Sequence, residues 1–243
     1  MTVFNMKLKR LFILTLLTFG VAIHAYAQFG VPNLVKYDKR RFHFGFMLGY
    51  NHFDYRISAK PDLAEYDSLM LTHTRAMSGF SLGIVTDLRL GKYFDLRLIP
   101  GLSFGDRYID YTIRYADGTE LVTPKNVESV YLDIPILFKY KSSRILNNIR
   151  AYVVAGGQYT FDMISAKKKK APDNGEVVLK LNPHDVQAQV GVGLDFYCTY
   201  FKFTTEFKMS FGFLNMLVPE QNMYATSVTG LHAKNMQISF IFE

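Results

Sequence analysis

The groups in this 243-residue chain that could do chemistry are six histidines, one cysteine, a run of four lysines and a set of charged side chains at alternating positions. His184-Asp185 is the one adjacent pair with the makings of a hydrolase relay, a carboxylate steering an imidazole base. It falls at a strand entrance, no interior or rim triad accompanies it, and it reads as a loop edge. His43 and His52 fall on interior or rim positions with no second ligand at metal spacing. His73 and His232 read as loop histidines, and His24 lies in a segment expected to be removed. Cys198 is the sole cysteine, so no intramolecular disulfide can form, and its place in a tight turn argues against a catalytic thiol. These residues predict no enzyme, no metal and no cofactor. Lys167, Lys168, Lys169 and Lys170 form a solvated loop tip that could meet anionic lipopolysaccharide or an acidic partner in a salt-sensitive way. Lys36, Lys39, Arg40 and Arg41 are a second cluster, placed to meet lipid headgroups.

The alternating charges need strands to hold them. In Phe42-His43-Phe44-Gly45-Phe46-Met47-Leu48-Gly49-Tyr50 large apolar side chains occupy every even position, and successive strand side chains point to opposite faces. Phe42, Phe44, Phe46 and Leu48 therefore share a face, with His43, Gly45, Met47 and Gly49 opposite. The same two-faced pattern recurs in eight segments, near 41–57, 77–90, 93–110, 126–141, 149–163, 184–197, 200–212 and 233–243. Their apolar faces carry Phe94, Leu96 and Leu98, then Ile134 and Ile136, then Phe201, Phe203 and Phe207, and at the end Phe240 and Phe242. Their other faces carry Asp87 and Arg89, Asp95 and Arg97, Asp133 and Lys139, Arg150, Asp195, and then Lys202, Glu206 and Lys208. Six are cations and five anions, so pairing can neutralise nearly all of them. Interior glycines such as Gly45, Gly49, Gly83, Gly105, Gly156 and Gly193 are expected to clear space for long Arg and Lys chains.

The connections alternate long and short. Gly91-Lys92, Ser142 to Asn148 and Cys198-Thr199 are short. The stretches holding Pro61 and Asp67, Asp117-Gly118 and Pro124, Lys167 to Asn182, and Pro219 to Gly230 read as loops. Short turns at one end and long loops at the other are the signature of an outer-membrane barrel. The reading is an all-β, eight-stranded, antiparallel, up-and-down transmembrane β-barrel. A lipocalin-like barrel would show the same alternation with the faces inverted. The polar faces decide against it: they are rich in Gly, Ser and Gln and too sparse in Lys and Glu for a solvated exterior. Eight strands enclose a lumen that side chains largely fill, so a paired ionic plug is expected rather than an open pore.

Lys7, Lys9 and Arg10 precede an apolar run from Leu11 to Ala22, and Ala25-Tyr26-Ala27 is a small-x-small cleavage site. The apolar run is too short to span a bilayer, which takes about 20 residues. Residues 1–27 are therefore expected to be an export signal, 28–40 a periplasmic lead and 41–243 the barrel, in the outer membrane of a Gram-negative bacterium. Losing the three signal cations lowers the formal charge of +7 by three, to +4, too mild for a nucleic-acid binder. The chain has 21 Phe and 16 Tyr but no Trp, and its mean hydropathy is near zero.

Asn33-Leu34-Val35-Lys36-Tyr37-Asp38, running into Arg41-Phe42-His43-Phe44-Gly45-Phe46, resembles the PorT family, small outer-membrane barrels of the type IX (Por) secretion system. Tyr131-Leu132-Asp133-Ile134-Pro135-Ile136-Leu137-Phe138-Lys139-Tyr140 is similar to a strand motif of the wider outer-membrane β-barrel family that contains PorT. The resemblance covers essentially the whole expected mature chain. It implies a non-enzymatic component needed for protein export across the outer membrane, whose partners are outer-membrane lipid and other envelope proteins of the secretion system. It supplies no catalytic residues. The residues also allow an envelope-stabilising or adhesin-like barrel that binds ligands through its long external loops.

Overall fold

The computed structural model describes residues 32–59, 70–114, 120–170, 181–217 and 228–243. The expected signal, residues 1–27, lies outside them. Eight strands form the wall: β1 (Phe42–Ala59), β2 (Met70–Arg75 and Met77–Arg89), β3 (Phe94–Leu98 and Gly101–Arg114), β4 (Glu120–Lys141), β5 (Ile149–Asp162), β6 (His184–Tyr197), β7 (Lys202–Gly212) and β8 (Val228–Phe242). Each pairs antiparallel with its sequence neighbours. β1 pairs with β2 from Phe42↔Leu88 to Phe53↔Met77, and with β8 from Phe46↔Phe242 onward. The sheet therefore closes around the stretch paired on both sides, as hydrocarbon requires because it offers no hydrogen bonds to a bare backbone.

The interruption in β3 has a covalent cause. Pro100 has no N–H to give the ladder; its carbonyl still accepts from Ile84 N, at 3.0 Å. Phe94, Leu96 and Leu98 before the break and Leu102 after it keep the same outward parity, so the faces stay whole.

Burial is inside-out. Phe44 is 66% exposed, Ile84 64% and Ile136 52%, whereas Arg97, Lys139 and Asp195 are fully enclosed. A water-soluble barrel does not expose a continuous apolar belt on this scale, and the lipocalin-like arrangement is excluded. Cross-strand ring pairs pave the outer belt. Phe46 stacks on Phe242 with centroids 4.9 Å apart over the β1–β8 seam, and Phe80 on Phe104 at 4.8 Å.

The strands run further than the two-faced pattern predicts. Met70–Arg75 pairs with Tyr108–Ile113, and β3 pairs with β4 out to Arg114↔Glu120. Residues 70–75 and 111–114, and Pro124, read as loop in the sequence, therefore belong to strands. Beyond the hydrocarbon neither face has to be apolar, so the alternation fades while backbone pairing continues. The stretch from Lys167 also differs from the expected loop. An α-helix, α1 (Met163–Lys170), takes its first part. Asp162 caps it, its Oδ1 accepting from the N–H groups of Ile164 and Ser165, each at 3.0 Å, as N-cap carboxylates do. The four lysines fall in its second half.

Candidate functional site

The inward faces of β2, β3, β4, β6 and β7 bring their charges together at the short-turn end of the lumen. Arg97 is the hub. Its Nε and Nη2 donate to the two carboxylate oxygens of Asp87, at 2.6 and 2.7 Å, and its Nη1 to Glu206, at 2.9 Å. Lys139 pairs with Asp195 at 2.8 Å, and Lys208 with Glu206 at 3.1 Å. The Tyr152 hydroxyl donates to Glu206 at 2.6 Å, and its ring lies under the Lys139 ammonium at 3.8 Å. Bidentate and charge-assisted bonds of this kind are the strong ones, and buried charges are tolerated only when paired in this way.

Two further ion-paired residues at this end were not among the expected lumen charges, although both follow the inward parity of their strands. Lys141 donates to Asp95 at 2.7 Å. Glu243, the residue after the last outward aromatic, follows the alternation inward and pairs with Lys202 and, at 3.5 Å, with Arg97. Strand parity past Phe242 was the signal available for it.

Three expected members lie elsewhere. Arg89 is half-buried at the rim, and its Nε donates to the Gly91 carbonyl. Arg150 turns to the barrel mouth and meets Asp38 at 3.2 Å. Asp133 sits in the outer half of the lumen, accepting from Ser103 at 2.5 Å, Gln158 at 2.7 Å and Thr160 at 2.8 Å.

The lumen is not ionic throughout. Met47, Val85, Ile99 and Ile241 form one buried apolar cluster, and Leu137, Tyr152 and Val154 another. Among the side chains around Ser81, Ser103, Asp133, Lys208 and Gln237 remains a cavity of about 20 Å³, room for a single water. The glycine expectation needs correction. Gly193 faces the Tyr152 ring, Gly105 the Phe53 ring, and Gly156 the backbone of Ile136 and Leu137. Gly83 faces Ile99 and Met47, Gly49 Ser81 and Gln237, and Gly45 Phe242 and Glu243. A lysine stem, that of Lys208, is faced instead by Gly191.

The remaining lead folds across the short-turn mouth as a strap. The Asn33 N–H donates to Asn148 Oδ1 at 2.8 Å, and Asn33 Nδ2 to the Tyr197 carbonyl at 3.0 Å. Arg144 donates to the Asn33 carbonyl at 2.6 Å and pairs with Asp38 at 2.9 Å. A 3₁₀ turn, Tyr37–Lys39, follows. Tyr37 stacks on His43 with centroids 4.1 Å apart, and its carbonyl lies 2.8 Å from His43 Nε2. Burial pushes the Asp38 carboxyl up, but Arg150 and Arg144 outweigh it and hold the group below the usual carboxylate range. Burial raises the Tyr37 phenol far above its ordinary value, so it stays a donor.

The described histidines do not assemble a site. His184 and Asp185 point to opposite faces: His184 is exposed on the outer wall, its Nδ1 2.6 Å from the Tyr159 hydroxyl, and Asp185 is buried inside. His52 lies on the exposed outer face rather than inside. His73 and His232 belong to strands, not loops. Among the described residues no group of His, Cys, Asp and Glu could hold a metal ion. Cys198 stands in the β6–β7 turn, its N–H donating to the Phe201 carbonyl at 3.0 Å.

Residues 26–218 match the family model described as outer membrane protein beta-barrel domain. The chain belongs to that family, and its place is the outer membrane. No curated protein matches the chain. Among solved structures it is similar to the outer membrane protein OprG from Pseudomonas aeruginosa, at 13% identity over 82% of this chain and 93% of that one, with a TM-score of 0.40. It is also similar to Neisserial surface protein A, at 12% identity over 83% and 98%, with a TM-score of 0.39. In outer-membrane barrels the short turns are as a rule the periplasmic ones.

Proposed function

We propose that this barrel is a non-enzymatic component of a type IX secretion system, delivered by cleavage of its signal near Ala27 and required for export of proteins across the outer membrane. The observation that carries the reading is the closed lumen. A barrel filled by the Arg97 network and strapped by Asn33–Asp38 offers no passage to cargo, so its part in export is played through contacts with other envelope proteins. The same Asn33–Asp38 segment carries the resemblance to the PorT family. At the opposite end, the Lys167–Lys170 run supports contact with anionic lipopolysaccharide, which would weaken with salt.

The test is a secretome comparison of wild type and a clean deletion. Cargo with an unremoved C-terminal sorting domain should accumulate in the periplasm and return to the medium on complementation. Normal export in the deletion would overturn the secretion role and leave an envelope-stabilising barrel.

A further inference from the structure

The strap does more than cover the mouth. In a 3₁₀ turn residues three apart eclipse one another, so Lys36 and Lys39 share a side. Tyr37 and Asp38 turn the other way, to Glu243 at 3.0 Å and to Arg150 at 3.2 Å. Lys36, Lys39 and Arg40 are exposed, and no ion pair engages them among the described residues. The carboxylates at this end, Asp38, Asp95, Asp195 and Glu243, are each paired with a cation. Lys36, Lys39 and Arg40 therefore give the floor exposed cations that no side-chain carboxylate among the described residues neutralises.

Apolar side chains stand beside these cations. Val35 is 52% exposed and Leu146, in the β4–β5 turn, 56%. Arg144 fastens that turn to the strap, bonding the carbonyls of Asn33 at 2.6 Å and Asn147 at 3.3 Å. Leu34 and Leu146 are both held at positive φ, 51° and 50°. That conformation is uncommon for a side chain bearing a Cβ, and such strain is kept where the surroundings fix it. The result is a fixed platform of apolar knobs ringed by cations, seated over the end of the barrel axis. Headgroups lie around the circumference, where Arg41 and Lys92 are placed to meet them.

We infer that the strap and the β4–β5 turn form a docking surface for a periplasmic protein segment that presents carboxylates around an apolar side chain. Charge complementarity with Lys36, Lys39 and Arg40 selects the partner, and Val35 and Leu146 supply the contact it buries. This rests on the reading that the barrel acts through envelope contacts, and it names the face and the chemistry.

The experiment places photoreactive benzoylphenylalanine at Leu146 of the full chain in living cells. The expected result is a discrete adduct with one envelope protein, the cross-linked peptide being acidic. In the Lys36→Glu, Lys39→Glu, Arg40→Glu variant the adduct should fall roughly tenfold or more, while the barrel still runs as the compact species in unheated gels. An adduct with phospholipid alone, no adduct, or an adduct indifferent to charge reversal would overturn the inference. The two proposals separate cleanly. If deletion blocks export but the triple variant exports normally, the docking surface is wrong and the secretion role stands. If the charge-dependent adduct forms and deletion leaves export intact, the surface stands and the secretion role is wrong.

Discussion

The Tyr37 hydroxyl donates to Glu243 Oε2 at 3.0 Å, joining two residues 206 positions apart. Through this bond the strap that enters the barrel and the last residue of the strand that closes it meet over the same mouth. Glu243 passes the link inward to Lys202 and Arg97, so strap and plug form one connected network.

That connection predicts a local unlocking. Asp38→Ala removes the carboxylate shared by Arg144 and Arg150 and should free the strap without opening the wall. Limited trypsin digestion should cut after Lys36 and Lys39 roughly tenfold faster than in wild type, the rise tracking the open population when reclosing is fast. The strands should resist cleavage in both proteins.

Acid should do the same to the unmodified protein. Asp38 has a depressed pKa in the docked strap, so its contribution is complete above the free carboxylate range near pH 4 and is lost as pH falls through the docked value. A spin label at residue 35 should report an immobile strap at neutral pH and growing mobility only on acidification below about pH 4.

The plug predicts non-additive energetics. Lys139→Met leaves Asp195 buried with one side-chain donor, Thr204, at 2.7 Å. A cost of about 3–5 kcal/mol is expected, whereas replacing both partners by apolar residues of similar volume should cost much less than the sum of the single changes. Urea titration of the barrel in lipid vesicles, read by tryptophan-free far-UV dichroism, gives both quantities.

Gly156 and Gly157 form a matched pair on β5. A Cβ at Gly156 would run into the Ile136 carbonyl and the Leu137 Cα, while one at Gly157 has only the Gln187 carbonyl at 3.8 Å. Gly156→Ala should therefore lower the urea midpoint or prevent closure, and Gly157→Ala should leave the midpoint close to wild type.

Much of this architecture was legible in the sequence because lipid enforces it. Phe42 to Tyr50 had to alternate, since a charge on that face near the midplane would cost roughly 2–4 kcal/mol, and the inward parity of Arg97, Lys139 and Asp195 followed. Where the bilayer stops enforcing the pattern, legibility stops too. Met70–Arg75 and Pro124 lie in strands whose faces are free to be mixed. Asp162 caps α1, a role that depends on a helix which the polar, lysine-rich run after it does not announce. His184 and Asp185 are adjacent in sequence, and strand parity alone sends them to opposite faces of the wall. The strap was hidden for a different reason: Asn33, Tyr37 and Asp38 find their partners, Asn148, Glu243 and Arg150, more than a hundred positions away, and no local pattern marks such bonds.

A sealed barrel passes no ions, and the conductance of the purified protein in a planar lipid bilayer reads this directly. With the Arg97 network and the strap in place, current should stay at the bare-membrane level across the voltage range. Stable, ohmic steps from the wild-type protein at neutral pH would contradict a closed lumen and, with it, a role exercised through contacts alone.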